Sequence, residues 1–452
     1  MRRAVLLLAA VALTGCSLEP AYVRPTPAAP QTWPVGAAYP AVQPREGPAL
    51  GYADVVRDAR LKAVIDRALA NNQDLAAALA NVEIARAQYR VQRAEQPHLN
   101  ATGSASESRS GGDTTRAHAA NLQVPSFQID LFGRLKSLSH AAREQYLGTE
   151  AGARAARLTL IGDVADAWLT LAADRSLLAL AIETQASAQR TVDLTQTRLT
   201  GGVAPRSDLA QAQTVLQQAK ADLAAQTTAV AQDRNALELL VGGAVADAEL
   251  PTAIEGLDGA FAEVPAGLIS AVLLTRPDVE EAEHSLKAAN AEIGAARAAF
   301  FPTLSLTALA GTASPQLGAL FSGGTFVWQG EAAASAPIFA GGALRGGLDQ
   351  AKGERSLALA QYQKAIQAAF RDVADALARR GTIQDQLAAQ GALQAAAQQS
   401  YDLSFARYRE GVDPHLTTLE SQRTLYQSQQ AMAETRLAAA LNLVALYTSL
   451  GG

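Results

Sequence analysis

The chain has almost no cysteine: Cys16 is the only one in 452 residues, so no intrachain disulfide can staple the fold. Aromatic residues are scarce at 5 %, although 49 % of the chain is hydrophobic, with alanine supplying much of that share. Small side chains suit closely spaced helices better than a thick globular core. No Lys/Arg cluster stands out and the formal net charge is −5, which argues against a surface for polyanions. An enzyme constellation is also missing. The run Gly341-Gly342-Ala343-Leu344-Arg345-Gly346-Gly347 is glycine-rich but lacks the Lys-Ser/Thr of a phosphate loop. His98, His118, His140, His284 and His415 show no metal-ligand spacing and have no cysteine partner. His415, beside Pro414, reads as a solvated turn residue. Glu280-Glu281-Ala282-Glu283 reads as a solvated face at the start of a helix. No cofactor is expected, so energy for any transport must come from a partner.

What is present is a duplication. Arg407-Tyr408-Arg409-Glu410-Gly411-Val412-Asp413-Pro414-His415-Leu416 echoes Arg198-Leu199-Thr200-Gly201-Gly202-Val203-Ala204-Pro205-Arg206-Ser207 at an offset of 209. In each copy a Gly ends one helical pattern, and a Pro is tolerated only as the next one starts. Leu209, Leu216, Leu223, Val230 and Leu237 then recur every seven residues, as do Thr418, Leu425, Met432, Ala439 and Leu446. That period predicts helices supercoiled side by side. Upstream, Asp74–Ala94 aligns with Asp278–Ala298, and Pro97 answers Pro302. Weakly alternating, strand-like segments follow each Pro.

The N-terminus carries a different signal. Met1-Arg2-Arg3 is basic, Ala4–Leu13 is apolar and too short to span a bilayer, and Leu13-Thr14-Gly15-Cys16 resembles a bacterial lipobox. On that reading residues 1–15 are a signal peptide, Cys16 carries a covalent lipid, and Ser17 in place of Asp directs the protein to the outer membrane. The expected plan is a lipidated N-terminal tether (16–50), a first repeat (51–240), an equatorial linker (241–267) and a second repeat (268–450). The first repeat has strands at about 98–108 and 119–130 and a helical hairpin at about 134–241; the second has strands at about 303–312 and 325–338 and a hairpin at about 342–447. Four strands cannot close a barrel, so strands in a membrane require several protomers; three would supply twelve.

The order of these features, with Ile129-Asp130-Leu131-Phe132-Gly133-Arg134, Arg276-Pro277-Asp278, Ala298-Ala299-Phe300-Phe301-Pro302 and Pro337-Ile338-Phe339-Ala340-Gly341-Gly342, resembles the TolC-like outer membrane efflux proteins, in the lipoprotein branch serving resistance-nodulation-division pumps. Asn72-Gln73-Asp74 lacks the Pro usual there. The resemblance implies a mainly α fold with a small β part: a long periplasmic helical barrel on a membrane β-barrel, shared by a homotrimer. It implies an exit duct for small compounds, with a periplasmic adaptor and an inner-membrane pump as partners; a duct for secreted polypeptides is the alternative. Carried onto this chain, the family's periplasmic gate falls on Leu416, Glu420 and Arg423, with Arg407, Tyr408 and Asp208 as restraints between helices. Glu420 stands where the family usually has Asp. The tips Gly202, Val203, Pro205, Gly411, Val412 and Pro414 would meet the adaptor.

Overall fold

A computed structural model describes residues 17–30, 32–40, 51–94, 97–257, 259–262 and 270–452; Cys16 and the leader lie outside them. The helices are α1 (Ala59–Asn71), α2 (Gln73–Arg93), α3 (Arg134–Thr200), α4 (Arg206–Val241), α5 (Pro277–Ala298), α6 (Ala343–Arg409) and α7 (His415–Ser449). The strands are β1 (Asn100–Ser110), β2 (Asp113–Ile129), β3 (Thr303–Ser314) and β4 (Phe326–Ser335). α3 and α6 each run 67 residues, about 100 Å at 1.5 Å per residue. Among the described residues no helix is long and apolar enough to cross a membrane. The chain divides into two compact units.

One unit holds the segment through Pro27, Ala80–Ala151 and Glu280–Lys364, including all four strands. They form an antiparallel sheet in the order β1-β2-β3-β4. β2 starts six residues before the expected 119, because the turn is only Gly111-Gly112. Residues 113–118 are polar or small on both faces, so alternation could not mark them as strand. The β2–β3 register shifts between Val124 and Phe127, around Pro125, which has no N–H for the ladder. The freed Pro125 carbonyl accepts from Thr307 Oγ1 at 3.1 Å.

β1 and β4 each pair on one side only, and every residue of β4 is exposed. The exposed aromatics gather at opposite ends of the sheet. Phe326 and Trp328 lie where β4 leaves Thr312, and Phe300, Phe301 and Phe339 lie near the Thr303–Ser335 end. Such a sheet has unsatisfied edges and uncovered apolar faces, so it is unfinished as a single chain.

The N-terminal segment in this unit is docked, where an aperiodic Pro/Ala run predicts a loose tether. Glu283, expected on a solvated face, is 3 % exposed and takes three partners. Arg24 donates to it twice, at 3.0 and 2.6 Å; Tyr22 donates at 3.2 Å; and Lys287 pairs at 3.1 Å. These cations hold its carboxyl below the usual range against the opposing effect of burial. Asn290 and Arg297 donate to the Pro20 and Leu18 carbonyls. An extended backbone docks through its own carbonyls, which no hydrophobic period announces.

The other unit holds Ala28–Leu79, Gly152–Val279 and Ala365–Gly452. Asn72 replaces a helix-starting Pro by capping: its Oδ1 accepts from Leu75 N at 2.8 Å while its amide donates to the Leu240 carbonyl. The seven-residue seam is buried at Leu216 and Leu237 in α4, and at Thr418, Leu425, Met432 and Leu446 in α7. The linker is part of the core. Val245, Leu250, Ile254, Leu257 and Phe261 are buried, the Trp168 indole N–H donates to the Glu249 carbonyl, and Arg67 pairs with Glu249.

Candidate functional site

Both hairpins turn in the same way. Val203 N–H donates to the Arg198 carbonyl and Gly202 N–H to Leu199; 209 residues on, Val412 donates to Arg407 and Gly411 to Tyr408. These paired bonds satisfy the last carbonyls of α3 and α6 in a Schellman motif. The motif requires a left-handed residue, and Gly202 and Gly411 supply it with φ of 75° and 77°. Val203 and Val412, the next residues, are exposed on the outside of each turn.

The copies then diverge. Ala204 in the first turn answers Asp413 in the second. Arg407 is therefore clamped within its own turn by Asp413, at 2.6 and 2.9 Å, and does not bind another helix of this chain as expected. That guanidinium holds the Asp413 carboxyl below the usual range. Arg198 has the corresponding position but no such anion. It reaches across to the second hairpin, donating to the Tyr408 carbonyl at 2.7 Å, with its guanidinium 4.7 Å from the centre of the Tyr408 ring.

Tyr408 is 3 % exposed and is the centre of the contact between the hairpins. Its hydroxyl lies 3.2 Å from Thr195 Oγ1. Its ring packs against the His415 ring with centroids 4.8 Å apart. His415 is 1 % exposed, which corrects the expectation of a solvated turn residue. Burial is the main cause that lowers its pKa, and Arg198 adds to it, while Asp208 opposes both. The signal for burial was available: His415, Thr418, Gln422 and Leu425 follow the 3–4–3 spacing of one helix face. Arg198 and Thr195 carried no such signal.

Leu416, Glu420 and Arg423 lie on α7 off this buried seam. Leu416 is 52 % exposed, and Glu420 and Arg423 are exposed as well. All three line a cavity of about 280 Å³ together with Tyr426 from α7 and Val215, Gln218 and Asp222 from α4. Glu420 and Arg423 form no ion pair with each other, so the i,i+3 spacing is not spent on a surface pair. Burial and the Asp222 carboxylate, to which it donates, raise the pKa of Tyr426.

An unfinished sheet joined to two long hairpins, with polar and apolar side chains left exposed off the seam, is the wall of a channel built from several chains. Two blocks, residues 64–243 and 268–452, match the family described as "Outer membrane efflux protein", one block for each repeat. The antibiotic efflux pump outer membrane protein ArpC of Pseudomonas putida is 42 % identical, covering 100 % of this chain and 96 % of that protein. A toluene efflux pump outer membrane protein, TtgC, from another strain of that species has the same identity and coverage. The open state of the Neisseria gonorrhoeae MtrE outer membrane channel superposes with a TM-score of 0.87 at 35 % identity, covering 97 % of this chain and 98 % of that one. The chain belongs to the outer membrane efflux protein family; it is an outer-membrane efflux channel.

Proposed function

We propose that three copies of this chain close one barrel and act as the passive exit duct of a pump that spans both membranes, working with a periplasmic adaptor and an inner-membrane transporter. The observation that carries this reading is the four-stranded sheet with two open edges and uncovered faces. Lipid tolerates no open edge, and twelve strands from three chains leave none. Small antibiotics and aromatic solvents, named for two of the relatives, are the compound class in view. Native mass spectrometry in detergent is expected to give a trimer; a stable monomer defeats the reading.

Cys16 is the lipid anchor in this scheme, and mass spectrometry of the mature N-terminus is expected to find it as the first, acylated residue. An unmodified terminus, or one at another residue, counts against it. Because strand pairing closes the barrel, Cys16→Ala behind a replacement signal peptide still assembles.

The hairpin tips form the periplasmic entrance. Around a three-fold axis Leu416 makes an apolar ring and Glu420 a ring of carboxylates, with Arg423 one turn behind. An adaptor that binds the open tip better than the closed one shifts the population without any chemistry. In planar bilayers, Leu416→Ala is expected to raise single-channel conductance severalfold. Glu420→Ala is expected to weaken cation preference and block by multivalent cations. If both conduct like the parent, the constriction lies elsewhere.

A further inference from the structure

We propose that His415 is a pH-sensitive latch: its neutral ring holds the two hairpin tips together, and protonation in an acidic periplasm releases them. The idea deepens the reading of the tips as the entrance, but the latch itself stands on local geometry. His415 is enclosed, with neither Nδ1 nor Nε2 hydrogen-bonded. A buried imidazole that leaves its ring N–H unmade gives up about 1–3 kcal/mol relative to a satisfied group. A phenyl ring would fill the same place against Tyr408 without that loss, so packing alone does not account for the choice of histidine.

The surroundings determine which form of the ring can stay. Arg198 from α3 is bound to the same tyrosine that His415 packs on. His415 is the first residue of α7, where the helix dipole presents its positive end. Tyr408 from α6 and Thr195 from α3 face this contact with neutral hydroxyls. Asp208 in the first turn of α4 is the one carboxylate among the groups that shift its proton affinity, and it offsets only part of the penalty. Arg407 and Asp413, in the adjoining turn, neutralise each other.

The sign follows from the lowered proton affinity. A docked ring that binds its proton more weakly than a released one is fully stabilising above the released value. It loses that stabilisation as pH falls through the docked value. Release requires His415 to swing away from Tyr408, loosening the first turn of α7 and with it the surface that Arg198 reaches from the first hairpin.

Hydrogen–deuterium exchange of the full-length protein, corrected for the intrinsic pH dependence of exchange, tests the latch. Going from about pH 7.5 to about pH 5.5, protection at residues 408–418 and 199–208 is expected to fall by up to about tenfold, the ceiling for one unit below a free imidazole. Mid-helix peptides should not change. His415→Phe is expected to keep the tips protected at both pH values, and His415→Asn, a neutral polar variant, to remove the pH response at whatever protection it starts from. An unchanged parent, or variants that respond as the parent does, overturns the latch. Single-channel recordings at the same two pH values separate the two ideas. Loss of protection with unchanged conductance keeps the latch and removes the tips from the conduction path.

Discussion

Arg198→Ala is expected to separate the two hairpin tips more than any other truncation around Tyr408. It removes a charge-assisted hydrogen bond to the Tyr408 carbonyl and a guanidinium stacked on the Tyr408 ring. The two together are worth about 2–3 kcal/mol, or roughly thirty- to a hundredfold in the open population. Exchange at residues 199–208 and 408–418 and open probability in bilayers should both rise. Arg198→Lys should recover little, because an ammonium cannot both stack flat on the ring and donate to the carbonyl beside it. Arg407→Ala is the internal control. It frees Asp413 and loosens one turn, leaving the contact between the hairpins in place. If Arg407→Ala opens the tips as far as Arg198→Ala does, the assignment of the cross-hairpin contact to Arg198 is wrong.

The second large effect lies in the sheet. Gly311 sits in β3 between Asn121 of β2 and Val327 of β4. A Cβ there would lie only 2.3 Å from the Ala120 carbonyl and 2.6 Å from the Asn121 Cα. Both belong to the backbone of the adjacent strand, so no side-chain rotation relieves the clash, and β2 and β3 must move apart. Gly311→Ala should cost about 3 kcal/mol per chain or more and abolish assembled channel, read as loss of the heat-dissociable oligomer in outer-membrane fractions. Gly103→Ala and Gly330→Ala, in neighbouring strands with nothing within 4 Å of the added carbon, should assemble normally. Equal behaviour of all three would remove the steric argument.

These two sites mark how far the sequence could be read. The Gly-Val-x-Pro echo located both turns, and the seven-residue spacing located the seam behind them, because each is a local pattern with one structural solution. The role of Arg407 was not legible. It and Arg198 are the same residue in the same turn, and what divides them is Ala204 against Asp413, visible in sequence but without direction until the hairpins are placed side by side. The early start of β2 was hidden because residues 113–118 have no apolar face. The docked N-terminal segment was hidden because its partners, Glu283 and Asn290, lie more than 250 positions away. Gly311 was read only as one residue of an alternating strand, since the constraint on it comes from the neighbouring backbone.

The open edges of the sheet also have a genetic consequence. A chain that cannot finish its own sheet must take its missing neighbours from other copies, so a damaged copy spoils the intact ones it joins. With a Gly311→Ala gene expressed equally beside the parent, and random mixing, only about one trimer in eight would contain no altered strand. Such an allele should therefore be dominant, and drug susceptibility of the mixed strain should approach that of a strain lacking the channel. A Cys16→Ala allele, whose defect stays within the chain that carries it, should be recessive.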